Sequence, residues 1–261
     1  MAPDILILTI YLICVVYVLY QMALSVEANL EDQLELVLEG ENLQAAIAAQ
    51  LQQQNRYQAQ AEVLADKSGS LLQLTFLNQD QAIGQVVLQV LPQGRRPLQP
   101  PLSDLKVNVL NNFPEQQVFI NWDSSSLSVH GGLAQRVIRM IPGMPIDLFQ
   151  PQAMTVANPG QMVSVAVTGE SLFNRPDNKT ALASGASLIN LSNVPDMKEP
   201  MRLYSLGVLM VVRSMTNPQE QAIQLLLPFN FRINVLPDHV ALPVLSWLLN
   251  LFSAKPKPKA R

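Results

Sequence analysis

The sequence predicts a mainly β protein behind an N-terminal transmembrane helix, and three patterns predict it. An uncharged apolar run fills residues 5–26 and period-2 alternation recurs from Leu72 onward. Nineteen prolines against 11 glycines punctuate the chain with rigid loops and strand ends. The implied organisation is a membrane anchor (1–26), an acidic, Gln-rich helical stalk (27–69), an antiparallel β-sandwich (70–237), and a short apolar helix with a basic tail (238–261).

The anchor is bounded by Ile5 and Val26, and Thr9, Gln21 and Ser25 are its clearly polar positions. A helix of that length, rising about 1.5 Å per residue, crosses a hydrocarbon core of about 30 Å with some tilt. Lipid leaves a lone segment no other way to satisfy its backbone. Tyr17 and Tyr20 lie one turn apart near its far end, where amphipathic rings favour the interface. A cleavable signal would need a basic start and a shorter apolar core, yet the charged residue ahead of the run is Asp4. Orientation has no nearby signal, because the first basic residue is Arg56.

Net charge is −3, which argues against nucleic acid as a partner. The charges segregate. Glu27, Glu31, Asp32, Glu35, Glu39, Glu41, Glu62 and Asp66 crowd the proposed stalk, opposed by Arg56 and Lys67, while Lys255, Lys257, Lys259 and Arg261 close the chain. The stalk is built of good helix formers without proline, and Leu43, Ile47 and Leu51 repeat at helical spacing. Gly40 marks a break, and Leu34–Leu38 also alternates in the manner of a short strand. At the other end, residues 242–252 are apolar, too short to span, and carry Trp247 and Phe252 ahead of the basic tail. That combination suits a helix lying on anionic lipid, with Trp247, Phe252, Lys255, Lys257, Lys259 and Arg261 as the lipid contacts. The competing reading packs this helix on the β domain.

The β region divides into short segments at 72–76, 86–91, 105–110, 117–122, 127–130, 134–141, 162–168, 187–191, 203–213 and 223–235. Residues 92–101 are too proline-dense for regular structure, and Pro228 inside the last segment implies a bulge, an edge strand or two shorter strands. The pair Val107-Asn108-Val109 and Phe119-Ile120-Asn121-Trp122 resembles the opening strands of an immunoglobulin-like sandwich, with Trp122 as the core residue. The inter-sheet cysteine pair of antibody domains is absent, since the single cysteine is Cys14, inside the apolar run.

Chemistry-bearing residues are sparse. His130 and His239 lack a second metal ligand at suitable spacing, so no metal and no cofactor are expected. Asp123, Ser125 and His130 contain the residue types of a hydrolase triad, but a Ser-rich turn capped by aspartate is the simpler reading, with Ser125 and His130 as structural surface positions. No phosphate loop or dinucleotide fingerprint is present, and no small-molecule substrate is indicated. Arg95, Arg96, Arg136 and Arg139 offer a basic patch for an acidic partner, or else stand as separate solvated charges. The sequons at Asn178 and Asn190 matter only in a eukaryotic secretory route.

The expectation is therefore a non-enzymatic, membrane-anchored accessory, assembly or scaffold protein. Its β domain would bind another membrane protein or complex, in a bacterial-type inner or thylakoid-type membrane, with the domain on the cytoplasmic side if the basic tail touches lipid. An envelope adaptor or transport component is the first alternative, and a membrane-bound hydrolase the second.

Overall fold

The computed structural model describes residues 2–30, 34–54, 58–66, 69–78, 81–96, 102–143, 146–174, 183–184, 187–217 and 219–236. It divides into two compact units, one of 1–34 with 96–98 and 235–261, the other of 35–95 with 99–234.

The first unit holds helix α1 (Ala2–Leu30), 29 residues long. Its described side chains run from 7 to 22, and every one of them is exposed. The span expected over 5–26 is not found: among the described residues no helix is long and apolar enough to cross a membrane. The C-terminal helix and tail expected over 238–261 lie outside the described residues.

The remaining elements are, in chain order, β1 (Leu34–Leu38), α2 (Gly40–Gln54), β2 (Gln58–Asp66), β3 (Gly69–Asn78), β4 (Gln81–Leu91), β5 (Gly94–Arg96), β6 (Leu105–Asn111), β7 (Gln116–Val129) and β8 (Gln135–Met140). There follow β9 (Thr155–Ala157), β10 (Met162–Gly169), β11 (Phe173–Asn174), β12 (Ala183–Ser184), β13 (Leu203–Ser214) and β14 (Ile223–Val235). The fold is mainly β, and the pairs β2–β3, β3–β4, β4–β6, β6–β10, β10–β8, β8–β7, β7–β9, β7–β13 and β13–β14 are antiparallel. A 12-stranded sheet runs in the order β2-β3-β4-β6-β10-β8-β7-β13-β14-β1-β5, with β9 beside β7; β11 and β12 form a separate pair.

Strand β8 is the corner of this sheet. Gln135 and Arg136 pair with β7, while 137–140 pair with β10. Val137 and Ile138 are consecutive yet both buried, because the strand leaves one half of the sheet and joins the other. Elsewhere the alternation is regular. Leu72, Leu74 and Phe76, Val86, Leu88 and Val90, and Leu225, Leu227, Phe229, Phe231 and Ile233 all face the core. The curled antiparallel sheet fits the expected sandwich.

The helical stalk is replaced by strand, helix and strand. Leu34, Leu36 and Leu38 are buried on one face of β1. Segment 58–66 carries the helix-forming alanines and glutamines expected of the stalk, but it pairs along its length with β3. Sheet pairing outweighs a propensity of a few tenths of a kcal/mol per residue. Among the described stalk residues, 27–30 continue α1 and α2 remains helical, with Leu43, Ile47 and Leu51 buried at the expected spacing. Gly40 opens it where Val63 approaches closely, 3.2 Å from the place a Cβ would occupy.

Helix α2 thereby joins β1, near one end of the strand path, to β2 at the other. The Gln50 side chain mimics a neighbouring strand. Its Nε2 donates to the Leu226 carbonyl at 2.7 Å, and its Oε1 accepts the Leu226 N–H at 2.8 Å. Gln50→Ala leaves both backbone groups of β14 to water, and we expect a loss of about 1–2 kcal/mol in urea unfolding. Gln50→Glu, which can accept but not donate, should recover only part of it.

Smaller differences have local causes. The segments 117–122 and 127–130 are one strand, β7, whose pairing with β13 shifts register between Gly207 and Leu209. The Ser125 hydroxyl fills that gap, accepting from Leu209 N at 3.1 Å and donating to the Asn121 carbonyl at 2.6 Å. Pro228 lies opposite Gly207, beside the same irregularity. The strand expected over 187–191 is a single bridge between Ile189 and Leu102, followed by a turn of 3-10 helix at Leu191–Asn193. Within the proline-dense 92–101, the three residues of β5 do form a strand.

Candidate functional site

A dense polar cluster in the second unit lies at the β8 corner and holds the loop that follows it. Asp123 of β7 is the hub. Its Oδ1 accepts from Arg136 Nε at 3.0 Å, from Arg136 Nη2, and from Gln152 Nε2 at 3.0 Å; its Oδ2 accepts the Gln152 N–H at 2.8 Å. Burial works against the charge of Asp123, but the bonds from Arg136 and Gln152 outweigh it and hold the carboxyl below the usual aspartate range. The rest of the Arg136 fork reaches the loop backbone, at Leu148 O (2.8 Å) and Gln150 O (3.0 Å). Those two carbonyls flank Phe149, whose own N–H donates to Asp147 Oδ1 at 3.0 Å. The loop is fixed on both sides of an aromatic ring that is 89 % exposed.

A second arginine three residues along is used differently. The Arg139 main-chain N–H donates to Gln152 Oε1 at 2.7 Å. Its guanidinium makes one long contact, Nη1 to Thr155 Oγ1 at 3.4 Å, and its Nε is buried without an acceptor. Thr155 is itself buried and accepts the Trp122 indole N–H at 2.8 Å. Trp122 thus sits in the core as expected, with its polar edge satisfied.

The proposed basic patch separates into unlike parts. Arg136 is neutralised by Asp123, whereas Arg139 has no carboxylate partner among the described residues. The side chains of Arg95 and Arg96 are not described.

Asp123, Ser125 and His130 do not form a relay. Asp123 is taken up by Arg136 and Gln152, and Ser125 by Asn121 and Leu209. His130 Nδ1 lies 3.1 Å from the Met201 carbonyl, and its backbone occupies the left-handed region at φ 54. His130 therefore marks the β7–β8 turn, tied to Leu203 by its main-chain N–H. Ser125 is buried rather than on the surface.

On α1, Tyr17 and Tyr20 are exposed, as is Cys14. Ile5 and Val26 lie on the same helix, outside its described side chains. Trp247, Phe252, Lys255, Lys257, Lys259 and Arg261 fall outside the described residues, as do His239 and Asn178. Among the described residues no group of three or more His, Cys, Asp or Glu gathers as a metal site.

Sequence reasoning missed Gln152, Thr155 and Phe149. A glutamine and a threonine in an irregular loop carry no spacing signature. The exposed phenylalanine looked like any apolar residue of a proline-rich connection. Compared with known proteins, the chain matches no family model, no curated protein and no solved structure.

Proposed function

We propose that the chain is a non-enzymatic accessory or scaffold protein, anchored in a membrane through α1, whose β domain binds another membrane protein or complex. One observation carries the anchoring: along residues 7–22 an almost wholly apolar helix is exposed on all sides. Water does not tolerate such a surface, and a helix apolar all round belongs in lipid or inside a protein. The membrane is read as a bacterial-type inner or thylakoid-type one, with the β domain on its cytoplasmic side if the basic tail touches lipid.

The immunoglobulin-like style of the domain belongs to the same proposal. Strands β4-β6-β10 stand in the order A-B-E of that fold, and β7-β13-β14 in the order C-F-G, with Trp122 on the C equivalent. Its polar clusters support a binding role, because they fix loops and fill a bulge instead of converging on a reacting atom.

Alkaline carbonate washing of membranes tests the anchor. The full chain should remain in the pellet, and Leu12→Lys with Val16→Glu should release it. Full-length protein in the carbonate supernatant overturns the anchored reading.

A further inference from the structure

Arg139 is a charge without a complement. Its guanidinium is permanently protonated and carries five N–H donors. One makes a 3.4 Å contact, and the Nε–H is sealed from solvent with no acceptor among the described residues. The outer Nη2 has no hydrogen-bond partner among the described residues and, unlike Nε, is not closed off from solvent. An unsatisfied buried donor costs about 1–3 kcal/mol, and an uncompensated half-buried charge adds to that. Arg136, three residues away, has its aspartate; Arg139 has none among the described residues.

The position is also built. The Arg139 backbone is held by Gln152, which is held by Asp123 and by the Val137 carbonyl at 2.7 Å. Thr155, on which the guanidinium rests, is fixed by Trp122. The loop between Arg139 and Thr155 carries Phe149, 89 % exposed and pinned on both flanks by Arg136. A rigid aromatic on a fixed loop loses little entropy on binding, which is the profile of an interface anchor.

We infer that Arg139 is the carboxylate receptor of the docking surface, and that its occupant is a protein segment bearing an acidic group beside an apolar side chain. The carboxylate meets the open end of the guanidinium, and the apolar side chain meets Phe149. A planar carboxylate is the natural complement of the arginine fork, and the exposed ring favours a protein segment over a free inorganic anion. The inference rests on the binding role proposed above but reads out independently of the membrane anchor.

The test is the Arg139 Nε–H resonance of the full chain in detergent micelles, titrated with sodium acetate, sodium chloride and N-acetylphenylalaninate at constant ionic strength. Acetate should shift it saturably and chloride should not. N-acetylphenylalaninate should bind at least tenfold more tightly than acetate. Phe149→Ala should bring its affinity down to that of acetate, with acetate binding kept. Arg139→Gln should abolish the response of the loop amides to both carboxylates. Arg139→Lys, which keeps the charge and loses the fork, should weaken both at least tenfold and serves in place of the Gln variant if that one unfolds. A response that never saturates, or equal responses to acetate and chloride, overturns the receptor. Equal affinities for the two carboxylates overturn the protein segment as occupant. Either failure leaves the carbonate-extraction result where it was.

Discussion

Replacing Gly84 with alanine should lower the stability of the β domain by about 3 kcal/mol, the upper end of the usual overpacking range. The Phe113 ring lies across β4 at this residue, so a Cβ on Gly84 would come within 1.8 Å of Phe113 Cδ1 and 2.3 Å of Cε1. The ring has nowhere to go. Phe113 is buried and packs at 47° against Phe76, with centroids 5.2 Å apart. Its N–H donates to Asn111 Oδ1 at 3.0 Å. Asn111 is fully buried and donates to both Gln116 O and Ala157 O at 2.8 Å. The substitution therefore has to displace a tethered aromatic or bend a central strand. Urea unfolding should show a lower midpoint with an unchanged slope. Adding Phe113→Leu should restore part of the loss, since it removes the clashing ring at the cost of a cavity. A change below about 1 kcal/mol for Gly84→Ala would mean that the ring packs elsewhere.

The contrast between what the sequence revealed and what it hid follows from the range of each interaction. Period-2 alternation and short apolar runs are local signals, so β3, β4, β6, β10, β13 and β14 were legible from Leu72, Val86, Leu105, Met162, Leu203 and Ile223 onward. Trp122 was legible as core because an isolated tryptophan among alternating apolar residues has few other places to go. Segment 58–66 was not legible. Its alanines and glutamines favour a helix in isolation, and only the facing edge of β3 makes it a strand. The same holds for Leu34–Leu38, where alternation was visible but the neighbours that decide it lie far along the chain.

The candidate site was legible only as a list of residue types. Arg136 and Arg139 are alike in sequence, and both offered themselves to an acidic partner. What separates them is Asp123, 13 residues before Arg136, together with the side to which each guanidinium is drawn as β8 crosses the corner. The triad of Asp123, Ser125 and His130 illustrates the converse. Its members are close in sequence, but a strand bulge, a turn and a salt bridge each claim one of them.

Asp123→Asn should cost about 2 kcal/mol at pH 7, and the loss should disappear in acid. The carboxylate accepts from two arginine nitrogens, a glutamine amide and a backbone N–H, whereas asparagine turns an NH2 group toward one of those donors. The pair is 24 % and 28 % exposed at its two side chains, so solvent screening keeps the cost below the 3–5 kcal/mol expected for a fully buried ion pair. The sign of the pH dependence follows from the lowered carboxyl pKa of Asp123. The unfolded chain binds the proton at about pH 3.9, while the folded chain still excludes it. The stabilisation is thus complete above about pH 3.9 and is lost as pH falls through the lower, folded value. The gap between the wild type and Asp123→Asn should be constant from pH 7 to about pH 5 and narrow below about pH 4. Glu39, lowered chiefly by its bond to Arg232, contributes an acid limb of the same sign; it is common to both proteins and cancels in the difference. A gap that persists unchanged to pH 3 would mean that shape, not charge, holds the cluster. The local consequence is sharper than the global one. Without the carboxylate, Arg136 is free to leave the Leu148 and Gln150 carbonyls, so amide hydrogen exchange over 146–152 should accelerate at pH 7 while the β13 and β14 amides stay protected. Phe149 is then presented on a moving loop, and the affinity for N-acetylphenylalaninate should fall toward that for acetate although neither Phe149 nor Arg139 has been changed.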